Sequence, residues 1–321
     1  MQKGIFMPGP IAILGAAGAV GRALMDELQA RGARAVAIGR GRERLEQLFA
    51  GRAEIRSADL EREDAAAQAL AGVEQAVYCV GLPYPDFSRH PVLMRAALDA
   101  ARRAGVRRMI VVSSVYSYGK PRAAKVREDH PREPESRKGL YRKQQEDLAI
   151  AAHQPGALET LVLHLPDFYG PYASNSLAHM MLESLMAGKA ARWLGDPDAP
   201  HEFVFMPDAA RVIAELLGRP ECFGRRWNFA GPGPVTGREF AQLAAREIGC
   251  EPHVLATGRW LLRLGGLFNP LLRELVELQY LGETPVLLDD SALAAALGSL
   301  RKTPYEDGVR RMVEWMKTAA R

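Results

Sequence analysis

Short apolar runs alternate with amphipathic stretches through the first half of the chain. Residues 10–14 (PIAIL), 33–38 (ARAVAI), 53–57 (AEIRS), 74–80 (EQAVYCV), 107–114 (RRMIVVSS) and 158–165 (LETLVLHL) each have the length and composition of one strand. Helical patterns separate them, at about 19–31, 42–49, 62–71 and 90–104, and in a helix that holds Tyr141. Short strands alternating with helices predict a parallel sheet with crossover helices. Helices on both faces let the strands be apolar throughout. After about residue 166 the pattern loosens and Pro and Gly become frequent, as in PDFYGPY, LGDPDAP and AGPGPV. Helices are still expected at about 176–188, 207–218 and 237–249. The Leu-rich stretch 260–280 is broken by Gly265, Gly266 and Pro270, so it reads as a lid or substrate-lobe helix pair rather than a membrane contact.

Composition narrows the class. With 321 residues, 48% hydrophobic and 25% charged, the chain suffices for a large α/β unit with a smaller lobe. The net charge of +4 is spread among interleaved acids and bases, with no basic tract carrying aromatics, which argues against nucleic acid as a partner. Cys79, Cys222 and Cys250 are far apart and form no CxxC, which fits free thiols and a reducing compartment. The apolar start is interrupted by Gly and Pro and reads as a buried strand rather than a signal peptide. No uninterrupted apolar stretch is long enough to span a bilayer, so a cytoplasmic protein without membrane contact is expected. The histidines show neither HxxxH nor HExxH spacing, and no metal site is expected. An NTPase phosphate loop is absent from the sequence.

The strongest motif is ILGAAGAVGRAL, residues 13–24. Gly15, Gly18 and Gly21 recur at spacing three, after the first strand and at the start of a helix. Gly15 permits a tight turn, Gly18 lets the backbone approach a pyrophosphate, and Gly21 lets the helix pack close to the sheet. Backbone N–H groups of the turn, at Ala17, Ala19 and Val20 as well, and the positive end of the helix dipole suit phosphate. At the end of the second strand, where an NAD protein wants an acid, stand Gly39 and Arg40. A guanidinium suits a 2′-phosphate, so NADP is the expected cofactor, with NAD possible and Arg42 or Arg44 as helpers.

From these motifs on, the chain resembles the short-chain dehydrogenase/reductase superfamily, in its extended and atypical, epimerase/dehydratase-like branches. The resemblance implies a Rossmann doubly wound α/β fold with a smaller C-terminal substrate lobe. Residues 1–165 would form the dinucleotide-binding domain and 166–321 mainly the lobe, with about 201–232 returning to the sheet. It places Asp59 and Leu60 (SADLE) at the adenine, and Val80 and Gly81 (CVGLP) along the cofactor. Ser114, in VVSSVYSYG, would hold the substrate oxygen, and Tyr141, in GLYRKQQED, would transfer its proton beside the cofactor. Pro166, Asp167 and Phe168 would lie at the nicotinamide end. The departures are specific. Gln145 stands four residues after Tyr141, where a lysine is usual, and would position the cofactor through its ribose hydroxyls, while Lys143 is rotated away from Tyr141 around the helix. His164 and His201 replace arginines, and Asp167 replaces an asparagine. Asp208 is expected to cap the helix that follows it, and Thr303 the last helix. The resemblance implies an oxidoreductase or epimerase acting on a small carbonyl or hydroxyl substrate, with a homodimer by analogy, and Arg40 adds the NADP preference. The alternative is an NADP-sensing or scaffold protein with weak or lost turnover.

Overall fold

The computed structural model describes residues 9–257, 274, 276, 277 and 279–319. Most of the Leu-rich stretch therefore lies outside the described residues. In chain order the first elements are β1 (Ile11–Leu14), α1 (Ala19–Ala30), β2 (Ala35–Gly39), α2 (Arg42–Phe49), β3 (Glu54–Ser57), α3 (Glu63–Ala69) and β4 (Gln75–Tyr78). They are followed by α4 (His90–Ala104), β5 (Arg108–Ser114), α5 (Arg137–Ala151), β6 (Glu159–Leu165), β7 (Asp167–Tyr169), α6 (Leu177–Met186), β8 (Ala191–Leu194), β9 (Pro200–His201) and β10 (Phe203–Phe205). Next come α7 (Met206–Leu217), β11 (Arg226–Asn228), β12 (Val235–Thr236), α8 (Gly237–Ile248) and β13 (Val254–Thr257). Helices Tyr280–Glu283, Ser291–Leu297 and Tyr305–Ala319 close the chain.

The main sheet has seven strands in the order β11-β6-β5-β4-β1-β2-β3, and each adjacent pair is parallel. Strand order reverses between β1 and β4, and the crevice outside the carboxyl ends of such strands is where open α/β sheets bind ligands. The apolar strands are buried on both faces. Ile11 and Ile13 join Leu24, Leu28, Ile213 and Leu217 from α1 and α7 in one core. Ala12 and Leu14 point the opposite way, into a second core with Met94 and Ala97 of α4. Period-two alternation thus feeds two layers from one strand.

Beyond β6 the chain builds a third core around Trp193, Phe203, Phe240, Val309 and Met312. Three short pairs frame it: β7 with β10, β12 with β9, and β13 with β8. Helix α8 opens with a capping box, in which Thr236 and Glu239 satisfy each other's backbone N–H groups.

Two local expectations differ from what is seen. Asp208 does not cap α7, which starts two residues earlier. Its carboxylate accepts from Arg211 and from both the N–H and the hydroxyl of Thr303, tying α7 to the approach of the last helix. Thr303 therefore directs its hydroxyl to Asp208 rather than to the backbone of the helix Tyr305–Ala319.

Candidate active site

The glycine turn is built as the spacing requires. Gly15 has φ +90°, and a Cβ there would lie 2.8 Å from the Cys79 carbonyl oxygen. A Cβ on Gly21 would lie 2.6 Å from Ala16 Cα, so the start of α1 sits directly against the turn. Gly18 and Ala17 are exposed, and Ala19 and Val20 are half-buried. Gly18 has no side chain to cap α1, which leaves its first N–H groups open to a ligand. Cys79, at the end of β4, donates its thiol to the Leu14 carbonyl at 3.3 Å, and burial pushes that thiol up to about 12. A Cβ on Gly81 would meet nothing within 4 Å, so backbone approach is unobstructed there, while Val80 is half-buried against the α3–α4 core. These open and packed positions fit a dinucleotide pyrophosphate.

At the end of β2, Arg40 and Arg44 are exposed, whereas Arg42 is held by Glu46 at 2.8 Å. Arg22 of α1 stacks 3.9 Å above the Tyr172 ring and lies within electrostatic reach of Arg44. Asp26 lies nearby as well, accepting from the Tyr172 hydroxyl at 2.7 Å and from Arg52 at 2.5 Å. Asp59 accepts from the Glu61 N–H at 3.2 Å, and Leu60 beside it is buried.

At the carboxyl edge of β5 the two serines differ. Ser113 donates its hydroxyl to Glu146 and accepts from Arg142 at 3.1 Å. The Ser114 hydroxyl is buried and has no partner among the described residues. Leaving a buried hydroxyl without a partner is costly, and this one lies at the carboxyl edge of the sheet.

Helix α5 turns a face to the sheet that the sequence did not reveal. Its buried positions are Lys138, Gly139, Arg142, Gln145, Glu146 and Ala149. Tyr141 is only half-buried, and its hydroxyl meets Arg137 of the same helix at 3.5 Å. Gln145 is fully buried and accepts from Arg142 at 2.7 Å. Lys143 pairs with Asp147 at 2.7 Å, away from the sheet. Two cations one helical turn apart, Lys138 and Arg142, are buried on this helix instead. Arg142 donates to the Val112 carbonyl at 3.2 Å, beneath the end of β5. Lys138 donates to Glu274 at 2.5 Å and Glu277 at 2.9 Å, with its ammonium 5.8 Å from the Tyr84 ring centroid. Tyr84 and Tyr116 bring their hydroxyls to 3.4 Å.

Glu146 centres the charges behind this edge. It accepts from Ser113 and from Arg132 at 3.0 Å, and lies 3.1 Å from His164 Nε2. Burial alone would push its carboxyl up, but His164, Ser113 and Arg142 outweigh that and pull it down to about 2. His164 is thereby a wholly buried strand histidine, also 3.4 Å from the Tyr118 hydroxyl. Burial and the neighbouring Arg142 drop His90 to about 2, so it is neutral.

Across the cleft, Asp167 opens β7 and accepts from His201 Nε2 at 2.9 Å. Pro166 and Val115 share with them, and with Glu202, a cavity of about 10 Å³, and Phe168 packs into the α1–α7 core. A separate recess of about 150 Å³ is lined by Tyr118, Lys120, Arg122, His130, Glu133 and Glu135 among others. Its charges are paired among themselves, Lys120 with Glu135 and Arg122 with Glu133. Among the described residues no group of three His, Cys, Asp or Glu is placed to hold a metal, and no helix is long and apolar enough to cross a membrane.

Burial pushes Glu202 up to about 7 from 4.5. The folded state then holds a proton that the unfolded chain releases, so this carboxyl favours folding below about pH 4.5 and loses that contribution as pH rises through 7. Glu202→Gln should flatten the stability profile across that window, a difference on the order of 3 kcal/mol. Urea midpoints at pH 5 and pH 8 test this; parallel pH profiles of variant and parent would contradict it.

A doubly wound parallel sheet with a glycine turn after its first strand is a Rossmann-type architecture. The chain belongs to the NAD dependent epimerase/dehydratase family, whose model matches residues 11–230. It is 22% identical over 176 residues to an uncharacterized UDP-glucose epimerase of Bacillus subtilis (strain 168), covering 51% of this chain and 55% of that one. It is 28% identical over 155 residues to a dTDP-glucose 4,6-dehydratase of Streptomyces griseus, covering 48% of this chain and 47% of that one. The chain thus spans about half the length of these two curated relatives. The solved structure of UDP-glucuronic acid 4-epimerase from Bacillus cereus, in complex with UDP-glucuronic acid and NAD, superposes with a TM-score of 0.81. That likeness covers 97% of this chain and 99% of the other at 17% identity, and is a likeness of fold.

Proposed function

We propose that this protein binds a nicotinamide dinucleotide at the glycine turn and oxidises or reduces a carbinol or carbonyl carbon of a small molecule, with nucleotide sugars as the first candidates. The observation that carries this reading is the unpartnered Ser114 hydroxyl, at the same sheet edge as an open, side-chain-free phosphate turn. The nucleotide-sugar class is suggested by the relatives named above. A bound dinucleotide supplies hydride exchange at its nicotinamide. Gly15, Gly18 and Gly21, with the N–H groups at Ala17, Ala19 and Val20, would hold its pyrophosphate. Asp59, Leu60, Val80 and Gly81 would line it, and Pro166, Asp167 and Phe168 would border the nicotinamide. Ser114 would hold the substrate oxygen by its hydroxyl. Arg142 and Gln145 would support the strand edge from below. In this reading Tyr141, with its hydroxyl at Arg137, stands apart from proton transfer.

The exposed Arg40 and Arg44, with Arg22 nearby, favour NADP, since the end of β2 carries Gly39 and Arg40 where an NAD protein wants an acid. Arg40→Ala should weaken NADPH binding about tenfold, equivalent to ~1.4 kcal/mol, and leave NADH unchanged. Equal losses for both would remove Arg40 from 2′-phosphate recognition. The activity is tested by following nicotinamide absorbance with a panel of nucleotide sugars and simple carbinols. Turnover lost by about 10² in Ser114→Ala supports the reading. Turnover unaffected by Ser114→Ala would sink it.

A second reading, a dinucleotide sensor with little turnover, is favoured by one observation. The buried face of α5 carries Lys138 and Arg142 rather than a phenol. NADPH binding with a silent panel is its expected outcome.

A further inference from the structure

We infer that Asp167 is the group that takes and returns the proton of the substrate oxygen, with His201 as its positioning partner. This rests on the carbinol and carbonyl chemistry proposed above. Leu165, the last residue of β6, is the register partner of Ser114 on β5, and Asp167 follows two residues later. Its carboxylate therefore stands beyond the same sheet edge as the unpartnered Ser114 hydroxyl. Val115, next to Ser114, and Pro166, next to Asp167, line one small cavity with His201 and Glu202.

Exposure separates the two roles. The Asp167 side chain is 36% exposed and His201 only 10%. The carboxylate can meet a substrate, while the imidazole is packed behind it against Trp193 and Phe203, at ring distances of 5.3 and 4.8 Å. His201 reaches Asp167 through Nε2 at 2.9 Å, which requires the Nε2–H tautomer for donation to a carboxylate. That bond engages Oδ2 and fixes the carboxylate plane. The strand pairing of β7 with β10 exists without it, so the contact is not needed to hold the backbone. Among the described residues, Glu202 on the cavity wall and the Tyr84 and Tyr116 hydroxyls also face this point, both tyrosines within electrostatic reach of Asp167. Lys138, beyond Tyr84, is engaged by Glu274 and Glu277.

The proton and electrons balance. In the oxidising direction the carbinol C–H electron pair leaves as hydride to an oxidised nicotinamide dinucleotide. The O–H proton passes to the Asp167 carboxylate, and the C–O bond becomes C=O. The reverse direction returns the proton from Asp167 to the oxygen.

Two readouts on the full chain test this. Nitrogen-15 spectra of labelled histidines should show His201 as the Nε2–H tautomer, and Asp167→Asn should shift that signal. An Nδ1–H tautomer would overturn the positioning role. Single-turnover reduction of bound NADP+, followed by nicotinamide absorbance with the carbinols UDP-glucose and dTDP-glucose as probes, supplies the second readout. Asp167→Asn should slow it by about 10² or more at saturating cofactor. His201→Gln should lower kcat with little change in KM, and Tyr141→Phe should leave the rate intact. A wild-type rate in Asp167→Asn, or a rate abolished in Tyr141→Phe, would overturn the inference. A wild-type chain that binds NADPH yet turns over neither probe would overturn it too, leaving cofactor binding in place. Failure to bind NADPH would instead remove the underlying reading.

Discussion

Glu146→Ala should cost the fold about 3–5 kcal/mol, the range for breaking a buried ion pair from one side. Glu146 is wholly buried and accepts from Ser113 and Arg132, with His164 Nε2 3.1 Å away. Its charge also compensates Arg142, whose guanidinium is disfavoured by burial. Without it, two buried or part-buried guanidiniums lose their counter-charge and a cavity opens between α5 and β5. Glu146→Gln keeps an acceptor for Ser113 and should lose less. The carboxyl is held near 2 in the folded chain and 4.5 outside it, so its contribution is present above pH 4.5 and lost as pH falls through 2. Urea unfolding at neutral pH reads the effect directly. A change below about 1 kcal/mol would mean that solvent or relaxation, not Glu146, satisfies these cations.

The second large effect is expected at Gly15. Gly15→Ala places a methyl 2.8 Å from the Cys79 carbonyl oxygen and 2.9 Å from Val80 Cα, in a backbone with φ +90° that L side chains rarely adopt. Backbone cannot yield as a side-chain tip can, so the turn must move away from β4. Strain and overpacking each cost about 1–3 kcal/mol. Because the displaced backbone is the proposed phosphate cradle, NADPH affinity should fall by about 10² or more, with a lower melting temperature. Gly32→Ala is the control. It shares a positive φ of +69° but has nothing within 4 Å of its Cβ, and should leave NADPH binding unchanged. Equal NADPH affinity in Gly15→Ala and the parent would remove the turn from the binding site.

The six apolar runs of the first half became β1 to β6, and the helix expected over 90–104 is His90–Ala104. The glycine turn was legible because its spacing demands backbone geometry that few other arrangements need. β11 gives no periodicity of its own, since it has three residues and carries Arg226, and it falls in the stretch of about 201–232 that only the family resemblance returned to the sheet. The face of α5 was hidden for a physical reason. Sequence patterns assign charged residues to solvent, yet Lys138 and Arg142 are buried. Their burial is compensated by Glu274 and Glu277, more than a hundred residues away, and by Glu146 within the helix. Tyr141 therefore drew attention that the helix geometry gives to its neighbours. The Asp167–His201 pair escaped for the same reason, its members lying 34 residues apart and meeting only once β7 pairs with β10. Of the departures noted in the sequence, Asp167 and His201 turned out to be mutual partners.

The most direct test of the account is titration of the full chain with NADPH and with NADH, followed by nicotinamide fluorescence. The account predicts saturable NADPH binding that is tighter than NADH binding and lost in Gly15→Ala. No saturable binding of either dinucleotide would contradict it.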